Sequence, residues 1–411
     1  MRTRRIIFLA FLSVLLLASC RNLPDTTLRY TLEGEDCPFA DFAEYGLWVP
    51  GTAAPLRGVM ILQHGCTMEQ FGITKPYDLQ YQAFARKWNL AILETAIHGD
   101  CHVWHHPESG SAAALMKVLG KASDELGRPE LPTVPWLIWG HSSGGHWTLA
   151  MLRDYPERIL AAVCYSAAWD PQWDYQEETA RIPVLLRHAG PDDAPFAACE
   201  ATANHTFSKL RAMGAPACIV YNHGENHNYS QLRHMMIPFF ESVLRTVPPG
   251  SRWLGDPGTL EIFPEDGFDG DKSSLCLFLD EGAAKAWQEY STTNDVLDRS
   301  LPPVPDKVTV IQREDSIVVN WKAGADPESG IGHFDVSIDG ALAARVPETG
   351  EYQSFDRNGD NTFPTEPAPM EVIVPCPSGK KHKVTVTTVN QAGLSSSRTA
   401  TFRAHNWHKR K

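Results

Sequence analysis

The chain has 411 residues, more than a single hydrophobic core usually organises, so two or three domains are expected. Its formal net charge is −12, and no basic run of any length interrupts the acidic balance. That argues against nucleic acid or an anionic membrane surface as a partner.

Arg2, Arg4 and Arg5 precede an apolar run over residues 6–18. Such a run is too short to span a bilayer with ease and is typical of a secretory targeting segment, so residues 1–19 are read as a signal peptide. Its end, Leu17-Ala18-Ser19-Cys20, resembles the lipobox of bacterial lipoproteins. The resemblance implies that Cys20 is lipidated and becomes the mature N-terminus. The protein would then be held by that lipid alone to a bacterial membrane, on its periplasmic or cell-surface side. Loss of the three leader arginines takes the net charge from −12 to −15. Export also puts the cysteines at 37, 66, 101, 164, 199, 218, 276 and 376 in a disulfide-permissive compartment. Their even number is compatible with bridges and does not give the connectivity. Cys164, inside an apolar run, fits a buried thiol equally well.

From residue 27 to 246 short apolar runs alternate with helical patterns. Strands are predicted at 59–62, 90–93, 136–139, 161–165, 183–186 and 218–221, and helices at 79–88, 112–126, 146–152, 197–213 and 230–244. Buried strands separated by helices predict an α/β fold, with a doubly wound, mostly parallel sheet covered on both faces. The pattern breaks at Val247-Pro248-Pro249-Gly250, and residues 247–302 are read as a connector packed on the preceding domain, with one helical piece at 281–290. At Pro302-Pro303-Val304-Pro305 the period changes to two. Alternating strands at 308–310, 317–321, 334–338 and 384–389 predict an all-β sandwich over residues 303–405.

One stretch carries the chemistry. Trp136-Leu137-Ile138-Trp139-Gly140-His141-Ser142-Ser143-Gly144-Gly145 runs from an apolar strand through Gly-x-Ser-x-Gly into an amphipathic segment. A sharp strand-to-helix turn lifts a serine hydroxyl out of the sheet, and flanking glycines allow the turn. The helix start aims free N–H groups and a positive dipole end at a developing oxyanion. Ser142 is therefore the candidate nucleophile. A serine needs a base and an orienting acid, in the chain order Ser, Asp or Glu, His for this kind of turn. After strand 183–186 comes His188-Ala189-Gly190-Pro191-Asp192-Asp193, where Asp193 is the preferred acid and Asp192 the alternative; both also suit a plain turn. After strand 218–221 comes Asn222-His223-Gly224-Glu225-Asn226-His227, where His227, nearest the next helix, is the preferred base and His223 the alternative. The backbone amides of Cys66, just past His64-Gly65, and of Ser143 are assigned to the oxyanion hole. For the Cys66 side chain a disulfide is an easier reading than a nucleophile.

Gln63-His64-Gly65-Cys66-Thr67 together with Gly140-His141-Ser142-Ser143-Gly144-Gly145 resembles the α/β-hydrolase superfamily, over residues 45–246. The nearest branch holds polyhydroxybutyrate depolymerase-like, feruloyl and acetylxylan esterases. Gln63 and His141 depart from that branch's usual residues. The resemblance implies hydrolysis of carboxylic esters, polymeric ones included, without a cofactor. The alternatives are a serine peptidase of the same fold and a non-catalytic adhesion or glycan-binding protein. The PPxP lead-in, Trp321, Asp339-Gly340 and Val389-Asn390-Gln391-Ala392-Gly393 resemble a fibronectin type III domain, with His382 where such domains usually carry tyrosine. The sequence says nothing of oligomeric state.

Three further features are weighed. The loop His98-Gly99-Asp100-Cys101-His102-Val103-Trp104-His105-His106 has metal-ligand residue types but no known zinc spacing, so it is read as a loop beside the active site and no metal is assigned. Asp356-Arg357-Asn358-Gly359-Asp360 is similar to the start of a calcium loop, but Pro367 stands where glutamate is required, and a turn is the preferred reading. Trp104, Trp169 and Trp173 fall in loops after strands, either walling a pocket or packing a core.

Overall fold

The computed structural model describes residues 24–167, 173–190, 196, 198–227, 232–245, 251–352, 368–376 and 381–405. Cys20, Trp169, Asp192, Asp193 and the 356–360 segment with Pro367 lie outside the described residues. An eight-stranded sheet is built from β1 (Thr26–Glu33), β2 (Phe42–Val49), β3 (Gly58–Gln63), β4 (Leu90–His98), β5 (Trp136–His141), β6 (Ile159–Tyr165), β7 (Val184–His188) and β8 (Ala217–Tyr221). Their order is β1-β2-β4-β3-β5-β6-β7-β8. β2 is antiparallel to both of its neighbours, and every pairing from β4 onward is parallel. The helices are α1 (Leu79–Trp88), α2 (Cys101–Trp104), α3 (Ser111–Leu126), α4 (Ser143–Asp154), α5 (Ala198–Ala212) and α6 (Leu232–Leu244). This is the doubly wound α/β-hydrolase topology. After β3 the chain moves to one side of the sheet, and after β5 to the other. The carboxyl ends of β3 and β5, which are neighbours, therefore flank the crevice where reactive residues are expected.

Strands β3 and β5 are buried at every position, as their unbroken apolar runs require. The first two strands are not among the sequence-predicted elements. In β1 the partly or fully buried Leu28, Tyr30 and Leu32 alternate with exposed Thr27, Arg29 and Thr31, the mark of an edge strand wet on one face.

Residues 251–294 hold more structure than their composition suggests. Three strands of three residues each, β9 (Trp253–Gly255), β10 (Ile262–Pro264) and β11 (Cys276–Phe278), form a small antiparallel sheet, followed by α7 (Glu281–Thr293). Asp280 caps α7 by accepting the Ala283 N–H at 2.8 Å. Trp287 and Tyr290 of α7 join the main core, and Trp287 Nε1 donates to the Ile219 carbonyl of β8 at 2.7 Å.

The C-terminal region forms sheets of its own. β12 (Asp306–Arg313), β13 (Ser316–Lys322) and β16 (Glu371–Pro375) form one antiparallel sheet. β14 (Ile331–Ile338), β15 (Ala341–Val346), β17 (Lys381–Asn390) and β18 (Ser395–Arg403) form another. Ile317, Val319, Trp321, Phe334, Val336, Val384 and Val386 fill the space between them. His382 bonds through Nδ1 to the Asp339 carboxylate at 2.7 Å, and the other Asp339 oxygen accepts the Lys383 N–H at 2.9 Å. This side-chain pair ties β17 to the Asp339-Gly340 turn that follows β14.

Candidate active site

The turn after β5 is forced open by close packing. Ser142 sits at φ 54°, ψ −115°, a conformation L side chains rarely adopt. Its N–H donates to the Tyr165 carbonyl at 2.8 Å, and its carbonyl accepts the His146 N–H at 3.0 Å, which opens α4. A Cβ on Gly140 would collide with the Gly144 carbonyl, and one on Gly144 with the carbonyls of Gln63 and His64. Both glycines are therefore needed so that α4 can pack against the end of β3.

The loop after β3 lies against the serine. A Cβ on Gly65 would stand 3.1 Å from Ser142 Cβ. His64 holds this loop: its Nε2 accepts the Ile97 N–H of β4 at 2.8 Å, which leaves Nδ1 to donate to the Gly65 carbonyl at 2.6 Å. Burial lowers the His64 pKa to about 4, so the ring stays neutral. Cys66 forms a disulfide with Cys101 at the start of α2, and Ser143 Oγ donates to Cys66 Sγ at 2.6 Å. The two residues assigned to the oxyanion hole are thus in side-chain contact. Among the described residues, Cys37, Cys164, Cys218 and Cys276 are buried and carry no disulfide.

His227 is buried, with its ring stacked on Phe196 at 3.9 Å and its Nδ1 3.6 Å from Cys199 Sγ. The residue before the serine secures it: His141 Nε2 donates to the His227 carbonyl at 3.1 Å, and the two rings lie 4.9 Å apart. Below this loop Arg187, wholly buried, donates to Asn222 Oδ1 at 2.5 Å, Ser166 Oγ at 2.7 Å and the Asn226 carbonyl at 3.2 Å. Burial, and then the Arg187 charge, lowers the His227 pKa to about 4. His223 is exposed, with its ring 3.8 Å from Tyr221. It lines a separate cavity of about 330 Å³ with His188 and Trp287.

The sequence reading passed over His64, His141 and Arg187, because a side chain that braces a loop has no motif of its own. Trp104 is fully buried and packs 5.1 Å from His64, so it belongs to the core and walls no pocket. Trp173 is partly buried, with Arg153 over its ring at 4.3 Å.

No family model and no curated protein matches the chain. Solved structures do. A ferulic acid esterase is 12% identical over 50% of this chain and 92% of its own, with a TM-score of 0.35. An S-formylglutathione hydrolase from Agrobacterium tumefaciens is 11% identical over 54% of this chain and 95% of its own, with a TM-score of 0.39. A poly(aspartic acid) hydrolase-1 from Sphingomonas sp. KT-1 is 13% identical over 50% and 94%, with a TM-score of 0.36. Likenesses this low carry no argument about chemistry, which rests on the residues themselves.

Proposed function

We propose that the protein is a secreted, lipid-anchored serine esterase. Ser142 attacks the ester carbonyl while His227 takes its proton, and Asp193, or else Asp192, orients the imidazolium. The Cys66 and Ser143 amides receive the oxyanion, and water then releases the acyl group without a cofactor. The supporting observation is the strained Ser142 at the carboxyl end of β5, with the His227 loop tied to its neighbour His141. Cys20 carries the lipid in this reading, and the C-terminal sandwich is a fibronectin type III-like module that contacts a polymeric substrate.

A fluorophosphonate probe should label the wild type, and Ser142→Ala should lose both labelling and p-nitrophenyl acetate turnover while remaining folded. Labelling that persists in Ser142→Ala removes this serine from the mechanism. Absence of labelling in the wild type points instead to a binding-only protein, and turnover of peptides but not esters to a peptidase.

A further inference from the structure

The loop 98–106 matches no zinc spacing in sequence, yet the fold brings part of it to a histidine forty-one positions beyond His105. One ring nitrogen from each of His105, His106 and His146 lies within 4.8 Å of the other two. Their ring centroids are 4.1 Å apart for His105–His146, 4.4 Å for His105–His106 and 5.3 Å for His106–His146. We propose that these three imidazoles bind one divalent transition-metal ion, for which Zn²⁺ is the natural occupant, and so brace α2 against the helix that carries the nucleophile.

The chemistry of the donors selects the ion. Three imidazoles suit zinc and its neighbours, whereas calcium and magnesium require oxygen ligands. A tetrahedral centre with Zn–N near about 2.0–2.1 Å sets ligand nitrogens about 3.4 Å apart, so the three rings draw together by up to about 1.4 Å to close on the ion. Both supports are firm. His146 is in the first turn of α4, whose start is bound to the serine turn. His105 and His106 follow α2, which is capped by Asp100 through the His102 N–H at 2.9 Å and anchored by the Cys66–Cys101 disulfide. Glu108 lies 3.7 Å from His106 Nδ1 and is itself 3.5 Å from Arg153, so a carboxylate stands beside one member of the trio. His105 and His146 are buried while His106 is half-exposed, so one side of the trio opens to water, which completes the coordination. The neighbouring group of Asp100, Cys101 and His102 does not compete, because the Cys101 sulfur is committed to the disulfide.

The test uses the whole mature protein, stripped by a chelator and titrated with Zn²⁺ against a chromophoric competitor. One equivalent should bind with Kd at or below about 1 μM and raise Tm. Co²⁺ in its place should give the intense visible bands of a tetrahedral site. His106→Gln and His146→Gln should each weaken Zn²⁺ binding at least tenfold, while His102→Gln, adjacent on α2, should bind as the wild type does. Circular dichroism reports folding of each variant, and the half-exposed His106 carries the test if His146→Gln unfolds. The proposal fails if the stripped wild type takes up no stoichiometric Zn²⁺, or if His106→Gln binds Zn²⁺ as tightly as the wild type.

Discussion

At the scale of single residues, backbone strain is stored at the candidate nucleophile. A non-glycine residue held at φ 54° costs about 1–3 kcal/mol. Ser142→Gly, inactive like Ser142→Ala, should therefore be more stable than Ser142→Ala by about 1 kcal/mol, read as a higher Tm. Equal melting temperatures would show that the turn is unstrained. Base assignment is equally local. His227→Ala should lower kcat by several orders of magnitude, as loss of a triad member does. His223→Ala, at an exposed ring beside Tyr221, should lower it by far less, and a reversed ranking would move the base to His223.

At the scale of elements, two tethers hold the loops around the serine turn. The disulfide closes a loop of 35 residues between the end of β3 and α2, which by chain entropy contributes about 3–4 kcal/mol. Cys101→Ser should lower Tm accordingly and also reduce kcat, since the Cys66 amide loses its anchor. A fall in Tm with kcat unchanged would free the loop from any catalytic part. Arg187 does the corresponding task for the ends of β6, β7 and β8, and a buried cation that holds Ser166, Asn222 and Asn226 is costly to replace.

At the scale of the molecule, buried histidines set the acid limit. His64, His188 and His227 each have pKa values lowered to about 4, in every case chiefly by burial. The unfolded chain binds their protons near pH 6.5 and the folded one only near 4, so stability is full above about 6.5 and lost as pH falls through that window. Thermal melts between pH 7.5 and 4.5 should show Tm falling with pH, and a flat profile would contradict neutral burial of these rings. Among the described residues, the C-terminal sandwich is joined to the rest by hydrogen bonds: Asn390 and Ser329 donate to the Asp298 carboxylate at 2.8 and 2.7 Å, and Gln80 donates to the Pro327 carbonyl at 3.0 Å. Deleting residues 303–411 should leave p-nitrophenyl acetate hydrolysis within a few-fold of the full chain, and lower activity on an insoluble ester-bearing polymer. Loss of the small-ester activity would mean that the sandwich shapes the site.

The parallel sheet, the serine turn and the change to a period of two were legible in the sequence because each is written in local order. Buried strands need unbroken apolar runs, the turn needs glycines on both sides of Ser142, and a sandwich strand needs alternation. The β9–β11 sheet escaped because strands of three residues are too short to show a period. What only the tertiary structure decided is which distant residues meet. Cys66 joins Cys101 across a helix and a strand, His141 holds the loop of His227, and His146 of α4 reaches the pair at 105 and 106. Such pairings depend on how the chain crosses over between neighbouring strands, and no spacing along the sequence encodes a distance that is closed through the sheet.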